Sequence, residues 1–152
     1  GGEVLRDVPF ETFIAKLPEC RKQCGDRAVL RAFHIYADND RVAKQVAALR
    51  EGDFTTFLNL VGESGQSSWE YLQNVIPAGY KEHQEVAVTI AAAKHFLGGK
   101  GAVRVHGGGF AGTVQAFVPV ELLAGFKANM EAILGEGRCH VLSIRPEGGA
   151  VL

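Results

Sequence analysis

The sequence predicts an α+β domain, a small antiparallel sheet with helices packed on one face. Three observations lead there. Up to residue 97, apolar residues recur mainly at helical spacing. Residues 102–106 and 113–118 alternate in polarity across a glycine-rich connection. A helical pattern at 120–134 and a β-rich segment at 139–144 then follow. A length of 152 residues suits one domain with a proper core, so residues 1–152 are taken as a single unit.

The elements follow in order. Phe10, Phe13, Ile14 and Leu17 after Pro9 make a short first helix, with Pro18 and Gly25 ending that region. Asp26 is a candidate N-cap for a long helix over 27–50. Leu30, Phe33 and Ala37 form its apolar stripe, which Val42, Val46 and Leu49 continue. Gly52 stops it, and Asp53 caps a helix carrying Phe54, Phe57, Leu58 and Val61. The small polar residues 63–68, Glu-Ser-Gly-Gln-Ser-Ser, read as a break before Trp69, Leu72 and Val75 resume helical spacing. Pro77 and Gly79 mark a loop. Residues 81–97 form a helix through Val86, Ile90, Ala93 and Leu97, ended by Gly98 and Gly99.

Val103 and Val105 share one strand face and Arg104 and His106 the other. Val114, Ala116 and Val118 alternate with Thr113, Gln115 and Phe117, so the two strands pair as a hairpin ended by Pro119. Leu123, Phe126, Met130, Ile133 and Leu134 stripe the helix over 120–134. A strand over 139–144 and a short terminal strand over 150–152 complete the expected set.

Composition narrows the function classes. Hydrophobic residues are 47% and charged residues 22%, ordinary for a soluble globular protein. A formal net charge of -1 gives no electrostatic reason to expect nucleic acid or an anionic membrane as a partner. No apolar run is long enough for a bilayer, and no basic-then-apolar leader opens the chain. Cys20, Cys24 and Cys139, an odd set without a secretion signal, suggest reduced thiols and a cytoplasmic setting. Cys20 and Cys24 lack a matching pair, and His83, His95 and His140 lack ligand spacing, so no metal site is expected.

The chemistry concentrates in Val103-Arg104-Val105-His106-Gly107-Gly108-Gly109-Phe110-Ala111-Gly112. Successive glycines permit positive φ and let backbone N–H groups converge on an oxyanion. Arg104 and His106 stand close enough to reinforce such a site. The same residues also suit a plain hairpin loop with Phe110 anchored in the core, and spacing leaves both open. A Walker loop is excluded, since no Gly-Lys-Ser/Thr follows, and so is GxGxxG, since a strand rather than a helix comes next.

The stretch Arg104–Thr113 resembles the third conserved motif of the GHMP small-molecule kinases, in its galactokinase form: Arg, an apolar residue, Thr, three Gly, Phe, two Gly, Cys. Other segments resemble galactokinase C-terminal halves in the same order. They are Leu5-Arg6-Asp7-Val8, then Arg31-Ala32-Phe33-His34 with Asn39-Asp40-Arg41-Val42, then Leu49 and Gly52-Asp53-Phe54 with Phe57. Ser64 and Ser67 fall on a Ser-His-x-Ser element, and Ile144-Arg145-Pro146 through Gly148-Gly149-Ala150 on the final strand. The departures are His106 for Thr, Ala111 for Gly, Thr113 for Cys, Gly65 for His, Asp38 for Glu, and no Glu-Leu-Asp element near 81–86.

This resemblance, which spans essentially the whole chain, implies a divergent bacterial galactokinase C-terminal domain with a ferredoxin-like fold. The family's ATP loop, sugar signature and catalytic Asp and Arg belong to an N-terminal domain not present in these residues. The implied reaction moves the γ-phosphoryl group of ATP, with Mg²⁺, to the anomeric hydroxyl of galactose, in a cleft between the two domains. His106, Gly107, Gly108, Gly109, Phe110 and Gly112 would line that cleft, with no catalytic residue and no tightly held cofactor in this chain. The implied partners are the N-terminal domain and the sugar. An apolar interface near the loop would favour self-association. Other readings are a kinase for another sugar and a non-catalytic regulatory or interaction module. His34 is expected to pack or hydrogen-bond, Arg31 and Arg41 to form ion pairs, and Ser64, Ser67 and Ser68 to cap the helix near Trp69.

Overall fold

The computed structural model describes residues 2–110 and 112–148, so the expected strand at 150–152, Ala111 and Gly149 lie outside the described residues. After a 3₁₀ turn at Leu5–Asp7, the helices are α1 (Phe10–Ala15), α2 (Leu17–Cys24), α3 (Asp26–Glu51), α4 (Phe54–Ser67), α5 (Glu85–Leu97) and α6 (Val120–Leu134). The strands are β1 (Ala102–Val105) and β2 (Val114–Phe117), paired antiparallel with Val103 opposite Ala116 and Val105 opposite Val114. The α+β class holds, with helices on both faces of the hairpin rather than one, because Arg104 faces α4 while Val103 and Val105 face α5. No helix among the described residues is long and apolar enough to cross a membrane.

Two apolar clusters organise the fold. Phe10, Phe13, Phe33 and Tyr36 stack edge-on or tilted, with Phe13 and Phe33 centroids 5.1 Å apart, and join α1 to α3. The Tyr36 hydroxyl satisfies itself by donating to the Val8 carbonyl oxygen at 2.7 Å. The larger cluster packs Val86, Ile90, Ala93 and Leu97 of α5 and Met130 of α6 onto Val103 and Val105. α4 lies against the other side of the hairpin, where Arg104 points. A Cβ on Gly65 would sit 2.8 Å from the Arg104 Cβ, so glycine is what lets α4 approach β1.

Several sequence expectations change. Pro18 sits in the first turn of α2 instead of ending a region, because a proline there forfeits no hydrogen bond. Asp26 is the first residue of α3 rather than its cap, and its carboxylate takes a 2.6 Å hydrogen bond from Arg21 Nε. Gly52 does end α3 in the left-handed conformation, and Asp53 does cap α4, accepting from the Thr56 N–H at 2.9 Å. Residues 63–68 are not a break. α4 runs through them into a π-helical turn, Ser68–Leu72, because their small side chains are buried against neighbouring elements rather than exposed in a loop. The helix expected from residue 81 begins at Glu85.

The stripe on α3 is reversed toward its end. Ile35, Val42, Val46 and Leu49 are exposed, while His34 and Ala48 are buried. The inward face of that helix is set by a polar network around His34, Asp38 and Arg41. The strand expected over 139–144 is absent: Val141, Leu142 and Ile144 are exposed, and no backbone hydrogen bond pairs the segment with β1 or β2 among the described residues. A β-rich pattern makes a strand only where a partner edge is in reach.

Candidate functional site

The connection between β1 and β2 is closed by the His106 N–H donating to the Thr113 carbonyl oxygen at 2.9 Å. Within it, Gly107, Gly109 and Gly112 have φ of 66°, 76° and 92°, and Phe110 has φ 42°. Positive φ is costly for a residue with a side chain, so the loop holds strain at Phe110. His106, Gly107, Gly108, Phe110 and Gly112 are exposed, while Gly109 is buried. Phe110 does not anchor the loop in the core, the plain-hairpin expectation, since the residue is 43% exposed.

The anchor is Asn74, which the sequence reading passed over. The π-helical turn closes with the Gln73 N–H donating to the Ser68 carbonyl oxygen at 2.7 Å, and Gln73 takes φ 55°. The chain then delivers Asn74, 3% exposed, against the glycine loop. Its main-chain carbonyl oxygen accepts the Phe110 N–H at 2.9 Å, and its side-chain Nδ2 donates to the Gly108 carbonyl oxygen at 3.3 Å. A Cβ at Gly109 would fall 2.1 Å from that Asn74 oxygen. One glycine is thus required by close approach. At Gly107 and Gly108 an added Cβ meets nothing within 4 Å, so those positions present open backbone. A lone asparagine between Gln73 and Val75 carries no pattern in sequence, which is why no signal pointed to it.

Arg104 takes no part in the loop. Its Nη1 donates to Ser64 Oγ at 2.7 Å and its Nε to the Val105 carbonyl oxygen at 3.0 Å. Ser64 Oγ in turn donates to Asp38 Oδ1 at 2.7 Å, which also accepts from Arg41 Nη1 at 3.1 Å. Arg41 Nε lies 3.6 Å from Glu63 Oε2. His34 is 4% exposed, shares a 3.0 Å hydrogen bond between its Nδ1 and Ser67 Oγ, and has Nε2 3.8 Å from Asp38 Oδ2. Burial pushes the His34 imidazole below its ordinary pKa; Asp38 opposes that, and Arg41 and Arg104 add to it. These groups tie α3, α4 and β1 together beneath the loop.

His34 is therefore packed and hydrogen-bonded, and Arg41 is ion-paired, as the sequence suggests. Arg31 forms no ion pair among the described residues; its Nε is buried without a partner. Ser64 and Ser67 are buried members of α4 bonded to Asp38 and His34, not caps. Ser68 opens the π-helical turn with its Oγ buried and unpartnered, and the following backbone stays helical, which leaves no free helix start for it to cap.

A pocket of about 180 Å³ lined by Trp69, Gln73, Val75 and Ile76 flanks Asn74. Small-molecule sites run to roughly 300–1,000 Å³, so it is too small to enclose a substrate. No group of three His, Cys, Asp or Glu side chains among the described residues could hold a metal ion. What this surface offers is exposed glycine backbone and the His106 side chain, groups suited to one wall of an anion site. The class defined by fold and site is thus an α+β domain carrying a backbone-built glycine loop at a hairpin tip.

Comparison with known proteins gives that class a family context. The chain is 33% identical over 121 residues to a galactokinase of Mannheimia succiniciproducens. It is 34% identical over 121 residues to one of Glaesserella parasuis serovar 5 and 33% identical over 121 residues to one of Actinobacillus pleuropneumoniae. Each match covers 80% of this chain, which spans only 29% of the length of those relatives. No family model matches the chain. The chain is homologous to galactokinases over that part of their length, consistent with a galactokinase C-terminal-type domain.

Proposed function

We propose that residues 1–152 form the C-terminal domain of a galactokinase-like sugar kinase, inactive alone and completed by an N-terminal GHMP domain. The whole enzyme transfers the γ-phosphoryl group of ATP to the anomeric hydroxyl of galactose in the cytoplasm. The observation that carries this reading is homology to three galactokinases over less than a third of their length, joined to the exposed glycine loop. Phosphoryl transfer depends on positioning and on neutralising charge, and backbone amides serve both without needing an ionisable side chain.

In this reading Gly107 and Gly108 present open backbone toward the phosphoryl-bearing ligand. His106, exposed at the loop's start, supplies a donor to the ligand; Phe110 and Gly112 shape the far rim. ATP and Mg²⁺ supply the transferable group and its charge balance when bound in the whole enzyme, held chiefly by the N-terminal domain. Exposed Phe110 on the loop, and exposed Trp69 beside the segment that carries Asn74, fit a face covered by that domain, and favour self-association of the isolated chain.

The test is ATP-dependent phosphorylation across a panel of sugars, run on the longer polypeptide and on the 152-residue chain. Turnover of galactose by the longer protein and none by the chain alone is the expected result. Turnover of a different sugar points to another GHMP kinase. An intact longer protein that turns over no sugar points to a regulatory module, and activity in the chain alone contradicts the proposal.

A further inference from the structure

The glycine loop is not self-supporting. Its strained residue, Phe110 at φ 42°, is held by a hydrogen bond to the main-chain carbonyl oxygen of Asn74, and the next residue back, Gly109, has room for no side chain because the Asn74 main chain and Nδ2 fill it. The Asn74 amide reaches one residue further, to the Gly108 carbonyl oxygen. Two peptide units of the loop are thus fixed from one residue on a different element. That residue is itself delivered by a π-helical turn, an uncommon geometry that recurs at functional sites. Strained loop conformations persist where the surroundings over-determine them; here the main chain at Asn74 holds Phe110, and the Asn74 side chain adds the second hold, on Gly108.

We propose that Asn74 is the positioning residue of the glycine loop, setting the backbone at 108–110 in the shape that meets a phosphoryl-bearing ligand. This rests on the reading that the loop walls a phosphoryl-transfer cleft. The alternative is that Asn74 merely fills space beneath the loop. The two differ for isosteric replacement. Asn74→Asp keeps the volume but turns the donor facing the Gly108 carbonyl into an acceptor, whereas Asn74→Ala removes both volume and donor. Any general cost of burying a carboxylate appears in the α5 peptides as well, so space-filling predicts no effect of Asp specific to the loop. Positioning makes Asp at least as damaging as Ala.

The experiment measures hydrogen exchange and steady-state kinetics of both variants in the longer polypeptide. Exchange in the peptide covering 106–113 should rise about tenfold in each, the effect of losing one hydrogen bond, with α5 peptides unchanged. The kcat should fall about tenfold or more with KM little altered, since misplacement of a positioned group acts on the reaction step. Raised exchange with unchanged kinetics supports the positioning role and overturns the cleft reading beneath it. Exchange at 106–113 unchanged in Asn74→Asp overturns the positioning role itself. If Asn74→Ala fails to fold, the isosteric variant alone still decides, because its α5 peptides report global stability separately.

Discussion

Gly107 and Gly109 both hold positive φ, yet a side chain would meet open space at the first and the Asn74 carbonyl oxygen at 2.1 Å at the second. Alanine at Gly107 therefore incurs only the left-handed backbone penalty, about 1–2 kcal/mol. Alanine at Gly109 adds overpacking and should cost on the order of 2–3 kcal/mol more, felt as detachment of the loop. Hydrogen exchange at 106–113 measures both; equal effects of the two substitutions would show that Asn74 does not hold the loop. Glycine was legible here because its freedom of φ is a property of the residue itself. Asn74 was not, because its importance comes from a contact between segments 34 residues apart. Arg104 shows the same limit: the sequence places it beside the loop, while Ser64 and Asp38 draw it under the sheet.

At the scale of elements, α6 and the β1–β2 pairing match the patterns read from the chain, since an amphipathic stripe and a short hairpin are local signals. Residues 63–68 misled for a physical reason. Small polar residues suit a loop in water and equally suit a helix face pressed against a strand, and only the neighbour decides. On α3 the network of His34, Asp38 and Arg41 turns inward to Ser64, Ser67 and Arg104, which explains how polar residues came to be buried while Val42 and Val46 stayed out.

That network should be pH-sensitive. His34 has a folded pKa below its unfolded value of about 6.5, so the unfolded chain binds the extra proton. Stability is then full above about pH 6.5 and declines as pH falls below it toward the folded value. Urea midpoints measured between about pH 7.5 and 5.5 should fall more steeply in wild type than in His34→Gln. Equal slopes would show that His34 does not titrate differently on folding.

For the whole molecule, two features stand apart from a finished domain surface. A row of exposed apolar side chains follows α3, and the β-rich segment 139–144 takes no regular secondary structure and leaves Val141, Leu142 and Ile144 exposed. Fold class, the hairpin and the galactokinase resemblance were legible because they rest on patterns inside the chain. The cleft was less so, because its proposed opposite wall belongs to another domain. A glycine loop that forms one wall of the proposed cleft should respond to the ligands of the longer polypeptide. The direct measurement is hydrogen exchange at 106–113 in the longer polypeptide, with and without galactose and a non-hydrolysable ATP analogue. Slower exchange at that loop on adding both ligands is the predicted result. Unchanged exchange there, while peptides elsewhere in the protein gain protection, would contradict the placing of VRVHGGGFAG at the site of phosphoryl transfer.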